Sequence, residues 1–139
     1  MDIDTGAIRE IFKADRFATK AGALVTAVSE DMVECAMDID DSHMNAANGV
    51  QGGAIFTLAD LAFAVHANLD LVCGADVGVT LAQSCAISFL RPPKGRRLIA
   101  RSSCISKGRT MSVYRVRVED ELGNPVAEMQ GNGFRTRKG

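Results

Sequence analysis

Gln51-Gly52-Gly53-Ala54-Ile55-Phe56-Thr57-Leu58-Ala59-Asp60-Leu61-Ala62-Phe63-Ala64-Val65-His66-Ala67-Asn68-Leu69-Asp70-Leu71-Val72 contains, from Ala54 to Val72, the most apolar stretch of the chain. Asp60, His66, Asn68 and Asp70 interrupt it, so it fails as a membrane span and reads instead as a buried helix, expected over Gly53–Val72. A helix that is apolar on nearly every face cannot rest on a flat sheet open to water. The sheet must curl around it, and something further must cover what the sheet leaves bare.

The flanking segments supply that sheet. Val79–Leu90, Leu98–Ser106, Met111–Glu119 and Val126–Thr136 have strand composition. Turn residues separate them at Arg91-Pro92-Pro93-Lys94-Gly95, Lys107-Gly108-Arg109 and Leu122-Gly123-Asn124-Pro125. Connections this short predict a meander of antiparallel neighbours. Before the helix, Leu24–Val28 and Met32–Asp38 read as a hairpin turning at Ser29-Glu30-Asp31, and Asp40–Gly49 reads as a polar loop. At the start, Thr5 is expected to cap a short surface helix whose Ile8, Ile11 and Phe12 form one apolar stripe. The expectation is a single α+β domain over 1–139, with 1–20 as an N-terminal helical extension.

Composition narrows the function. A 139-residue chain, 47% hydrophobic, can build one real core. A net charge of −1 offers no field for nucleic acid or an anionic bilayer, so neither is expected as a partner. Met1-Asp2-Ile3-Asp4 is acidic where a secretory signal is basic, which predicts a cytoplasmic protein. Cys35, Cys73, Cys85 and Cys104 are widely spread, form no C-x-x-C pair and read as reduced core residues. With two distant histidines, no metal site is expected.

Between Val50 and Leu69 the only ionisable side chains are Asp60 and His66. A buried carboxylate costs several kcal/mol unless paired or bonded, so its presence asks for a reason. Taken alone, Asp60 could equally bond a backbone group or a neighbouring subunit. At the helix entrance, Gly52 and Gly53 place two residues without side chains where unpaired N–H groups and a partial positive charge favour an oxyanion or a polarised carbonyl. Taken alone, the glycine pair reads first as a tight turn packed under a strand. Asp60 follows Gly52 by eight residues, about 12 Å along a helix axis. One chain cannot easily aim both groups at one carbonyl carbon, which predicts two antiparallel helices from two subunits. His66, about 600° further round the helix, falls about 120° from Asp60 and reads as a structural histidine. His43, in the polar loop, reads as solvated.

The run His43-Met44-Asn45, then Gln51-Gly52-Gly53 through Leu58-Ala59-Asp60 and on to Ala64 and Asn68, resembles the signature of the PaaI-type hotdog thioesterases. That signature is an Asn, a His-Gly-Gly six residues on, and a Leu-Ala-Asp on the hotdog helix. Phe89-Leu90-Arg91-Pro92 is similar to the family's third-strand ending, and Lys107-Gly108-Arg109 to its next hairpin. The resemblance covers about Gly22 to Arg135. It implies a hotdog fold, an antiparallel five- or six-stranded sheet around one helix, assembled as a homodimer or a dimer-of-dimers tetramer.

The resemblance also implies hydrolysis of an acyl-CoA thioester of small or aromatic acyl group, with coenzyme A entering as part of the substrate and no other cofactor. Asp60 is then nucleophile or general base, Gly52 the oxyanion donor, and Asn45 an orienting residue. Gln51 stands where the family has His; its amide can donate to a carbonyl but cannot titrate. Gly53 and Thr57 join the expected substrate contacts, as do Gln83 and Ser84 where the third strand passes the partner's helix. Arg91, Lys107 and Arg109 form the expected rim for coenzyme A phosphates. Two rival readings stay open: an acyl-CoA binding protein without turnover, and a hotdog hydratase or dehydratase.

Overall fold

The computed structural model describes residues 1–138. Two short helices, α1 (Thr5–Phe12) and α2 (Arg16–Ala21), lead into the hairpin β1 (Leu24–Val28) and β2 (Val33–Asp38). The central helix α3 (Gly52–Ala67) and one turn, α4 (Leu69–Val72), precede β3 (Thr80–Phe89), β4 (Arg97–Lys107), β5 (Met111–Asp120) and β6 (Pro125–Arg135). All six strands join one antiparallel sheet in the order β1-β2-β4-β5-β6-β3.

The sheet curls around α3, burying Leu58, Ala59, Leu61, Ala62, Phe63 and Val65 against the inner faces of the strands. Gly131 on β6 makes the closest approach possible: a Cβ there would lie 2.8 Å from the Phe63 ring. This is the hotdog arrangement, and its class is α+β.

Three expectations about elements are corrected. The central helix ends at Ala67 rather than Val72, because Asn68 leaves the helix to bridge to the sheet. Its side-chain amide donates to the carbonyls of Ala64 and Thr80, and its oxygen accepts from the Thr80 amide at 2.7 Å. The strands are not a simple meander. β3 pairs with β6, while its successor β4 lies three places away. The intervening segment instead crosses the end of the β5–β6 hairpin, where the Asp120 carboxylate accepts from the amides of Lys94, Gly95, Leu122 and Asn124. At the N-terminus the cap is Asp4, which accepts from Ala7, rather than Thr5. Ile11, read as part of that helix's apolar stripe, is largely exposed.

The histidines and cysteines also sort by position. His43 is buried rather than solvated: Nε2 donates to the Ala21 carbonyl and Nδ1 accepts from the Asp40 amide, tying the loop to the end of α2. Among the cysteines only Cys35 is fully buried; Cys73 and Cys85 are half-buried and Cys104 is exposed.

His66 faces the sheet. Its Nε2 must donate, since the Glu30 carbonyl can only accept, so Nδ1 accepts from the Ser102 hydroxyl. Burial pulls its pKa below the usual 6.5, against the opposing pull of those hydrogen bonds. The folded chain therefore holds the neutral ring while the unfolded chain takes up a proton from pH 6.5 downward. Stability is full above that pH and is lost as pH falls from 6.5 toward the folded-state value. The thermal midpoint should fall across this window in the wild type and fall less steeply in His66→Gln.

Candidate active site

The helix entrance is built by the preceding loop. Met44 and Val50 form an isolated bridge, and the Gln51 amide donates to the His43 carbonyl at 2.7 Å. Asn45 folds the loop back: its Oδ1 accepts from the amides of Ala47 and Gly49, and its side-chain amide has no hydrogen-bond acceptor among the described residues. The helix then starts under a cap from Gln51, whose Oε1 accepts from the Gly53 amide at 2.9 Å. The Gln51 carbonyl accepts from Ala54 and Ile55. Of the first four helical amides only that of Gly52 has no partner among the described residues. The glycine pair thus presents one donor rather than two.

Gly52 is glycine for a steric reason as well. A Cβ there would lie 3.0 Å from the end of the Phe89 ring, so Phe89 packs against the side of Gly52 where a side chain would stand. Asn45, Gly52, Ile55, Phe89, Arg91 and Pro92 line one cleft of about 440 Å³. Its body is apolar, and Asn45 and Arg91 supply its polar groups.

Asp60 lies two turns further along α3 and is half-buried. No hydrogen bond or ion pair holds its carboxylate among the described residues. Burial raises its pKa above the usual 3.8, and the nearby Asp15, the N-cap of α2, adds a like-charge contribution. Cys85 on β3 is also a neighbour of Asp60. Its thiol is pushed up by burial and then by the Asp60 charge. Neither Asp15 nor Cys85 is legible from sequence as a neighbour of the site, because each comes from a distant segment with no local signal. Phe89 enters the sequence reading only as part of a strand ending.

The remaining expected residues divide into groups. Thr57 donates its hydroxyl to the Gly53 carbonyl and is tied to its own helix. Gln83 is the unpaired residue of a bulge in β3, between Ala82 and Ser84. Ser84, next along, accepts from the side chain of Asn132 on β6 at 2.8 Å. Arg91 lies at the Gly52 cleft. Lys107 and Arg109 instead lie near Ala67 and Arg135, at the opposite end of α3 in the same chain. There Arg135 grips Asp70 bidentately at 2.8 Å, which with Lys107 draws the Asp70 carboxyl down to about 2.

This arrangement has counterparts among known proteins. Residues 48–127 match the thioesterase superfamily. The acyl-coenzyme A thioesterase PaaI of Escherichia coli (strain K12) is 26% identical over 126 residues, covering 90% of this chain and 86% of that one. The solved structure of the E. coli PaaI protein from the phenylacetic acid degradation operon covers 96% of both chains with a TM-score of 0.81 at 23% identity. A protein of Thermus thermophilus of known crystal structure is 30% identical, covers 88% of this chain and 98% of its own, and has a TM-score of 0.77. No helix among the described residues is long and apolar enough to cross a membrane. The family match, the fold and the helix entrance agree: the chain belongs to the thioesterase superfamily, as a hotdog-fold thioester hydrolase of the PaaI type.

Proposed function

We propose that the protein hydrolyses acyl-CoA thioesters of small or aromatic acyl group at a site completed by two subunits, with Asp60 of one chain and the Gly52 amide of the other acting on one carbonyl. The observation that carries this reading is the pair of uncommitted groups on α3. A half-buried carboxylate and a helix-terminal N–H, both without partners among the described residues, are the nucleophile or base and the oxyanion donor that acyl transfer needs. Asp60 attacks the thioester carbonyl directly or takes a proton from an attacking water. The carbonyl oxygen gains negative charge and is held by the Gly52 N–H at the positive end of the helix. Collapse expels the thiolate, which leaves without a strong general acid. After direct attack, water then cleaves the acyl–Asp60 anhydride, releasing the free acid and restoring the carboxylate.

Two subunits are required because about 12 Å of helix separates the two groups within one chain. β3 supports pairing. It is a ten-residue edge strand with Leu81, Phe89 and nearby Leu90 exposed, and an uncovered edge of this kind invites a second chain. A two-fold axis near Phe56 sets Gly52 against the partner's Asp60. It also carries the Lys107–Arg109 hairpin toward the partner's Arg91, which assembles the basic rim for the nucleotide phosphates from both chains.

Coenzyme A as the thiol and an aromatic acyl group follow one relative, the E. coli PaaI protein, which is named for acyl-coenzyme A and comes from a phenylacetic acid degradation operon. Thiol release from a panel of acyl-CoAs, beside the same acyl groups on a short thiol lacking the nucleotide, tests the reading. Release is expected, fastest for small aryl groups and slower without the nucleotide. Thermal stabilisation by acyl-CoA with no release would make the protein a binding module instead.

A further inference from the structure

We propose that the cleft beneath the N-terminal helices is a second binding site, which takes a small amphipathic carboxylate on Arg9. The cleft, about 170 Å³, lies between α1, α2, the start of β1 and α3. Phe12, Ala23, Leu24 and Leu61 give it an apolar floor.

Arg9 is half-buried, and its Nε donates to the Val25 carbonyl at 2.6 Å, which fixes the plane of the guanidinium. Its two terminal nitrogens have no acidic partner among the described residues. Other arginines of similar cover are paired: Arg101 with Glu34 and Glu119, Arg135 with Asp70. The second cation at the cleft is already committed, since Lys13 binds Glu10 at 2.6 Å. Thr19 donates its hydroxyl to the Lys13 carbonyl. One oriented, uncompensated guanidinium therefore stands over an apolar floor.

A guanidinium without a counter-ion is available to take one, and its planar fork of N–H groups is the matching receptor for a carboxylate. The floor specifies the rest of the ligand. An apolar cavity of about 150 Å³ is enough to take up a benzene ring, so this cleft holds one ring or a short branched chain. Inorganic phosphate would satisfy Arg9 but leave the floor in contact with water. The site is separate from the thioester centre: Leu61 lines it, and the side chain of Leu61 is about 100° round α3 from that of Asp60.

Calorimetric titration with phenylacetate, phenylacetamide, acetate and phosphate tests this on the whole chain. Phenylacetate should bind saturably, and the other three about tenfold or more weakly. Arg9→Gln should weaken phenylacetate by a similar factor while thioester hydrolysis is retained. Thr19→Phe, an exposed change that fills the cleft mouth, should do the same with the Arg9 contact to Val25 intact. Equal affinity for the acid and its amide, unchanged phenylacetate binding in both variants, or no saturable binding to the wild type would each overturn the proposal.

Discussion

Asp60→Asn is expected to lower kcat about 10²- to 10⁴-fold, the range typical of losing a positioned proton-transfer group, while the thermal midpoint stays level or rises. The two readouts move in opposite directions for one reason. In the folded protomer the carboxylate is half-buried, has no hydrogen-bonding partner among the described residues, and lies near Asp15. Its pKa is raised, so the folded chain binds a proton more readily than the unfolded chain does. Above the folded-state value, where both forms are ionised, that difference counts against folding, and it is relieved as pH falls through that value. Asparagine keeps the shape, removes the charge and removes the penalty. A carboxylate serving structure would show the reverse, a lower midpoint with activity retained. The same environment sets the acid limb of kcat/KM above the ordinary 3.8, because hydrolysis needs the ionised form. Activity within a few-fold of wild type in Asp60→Asn would end the assignment.

How far the chain can be read in advance depends on how local each feature is. The central helix is legible because a long apolar run, broken only by Asp60, His66, Asn68 and Asp70, can be judged from neighbours along the chain. The first hairpin and the strand limits are legible for the same reason, to within a residue or two. Strand order is not. The placement of β3 beside β6 depends on the sheet closing around α3, and on Asp120 holding amides 25 and 26 residues away, which no turn signal encodes. The end of α3 escapes a local reading because Asn68 is polar yet buried: its bonds run to Thr80, twelve residues on, rather than to solvent. His43 escapes it likewise, since its partner is the Ala21 carbonyl. At the site, the residue types are visible at Gly52, Gln51 and Asp60. The capping that reserves Gly52 as the lone free amide emerges only from the hydrogen bonds at the helix entrance.

Mixing two inactive variants should restore activity if the site is shared. In Asp60→Asn the carboxylate is gone and Gly52 is intact. In Gly52→Val the carboxylate is intact, but the branched side chain projects against Phe89 and crowds the helix entrance where the proposed oxyanion donor lies. Blocking one oxyanion donor costs about 10²- to 10³-fold, so each variant alone is expected to be nearly silent. Unfolding them together and refolding should produce hybrids with one site carrying both lesions and one carrying neither. Random pairing makes about half of the dimers hybrid, each with one of two sites working, so about a quarter of wild-type activity should return. Adding the folded variants without exchange should return none. If Asp60 and Gly52 of the same chain formed the site, every site in the mixture would carry a lesion and no exchange protocol could recover activity. The helix arithmetic makes that second outcome hard to reach, since the two groups lie about 12 Å apart on one rigid element, while a thioester carbonyl must touch both within hydrogen-bonding distance.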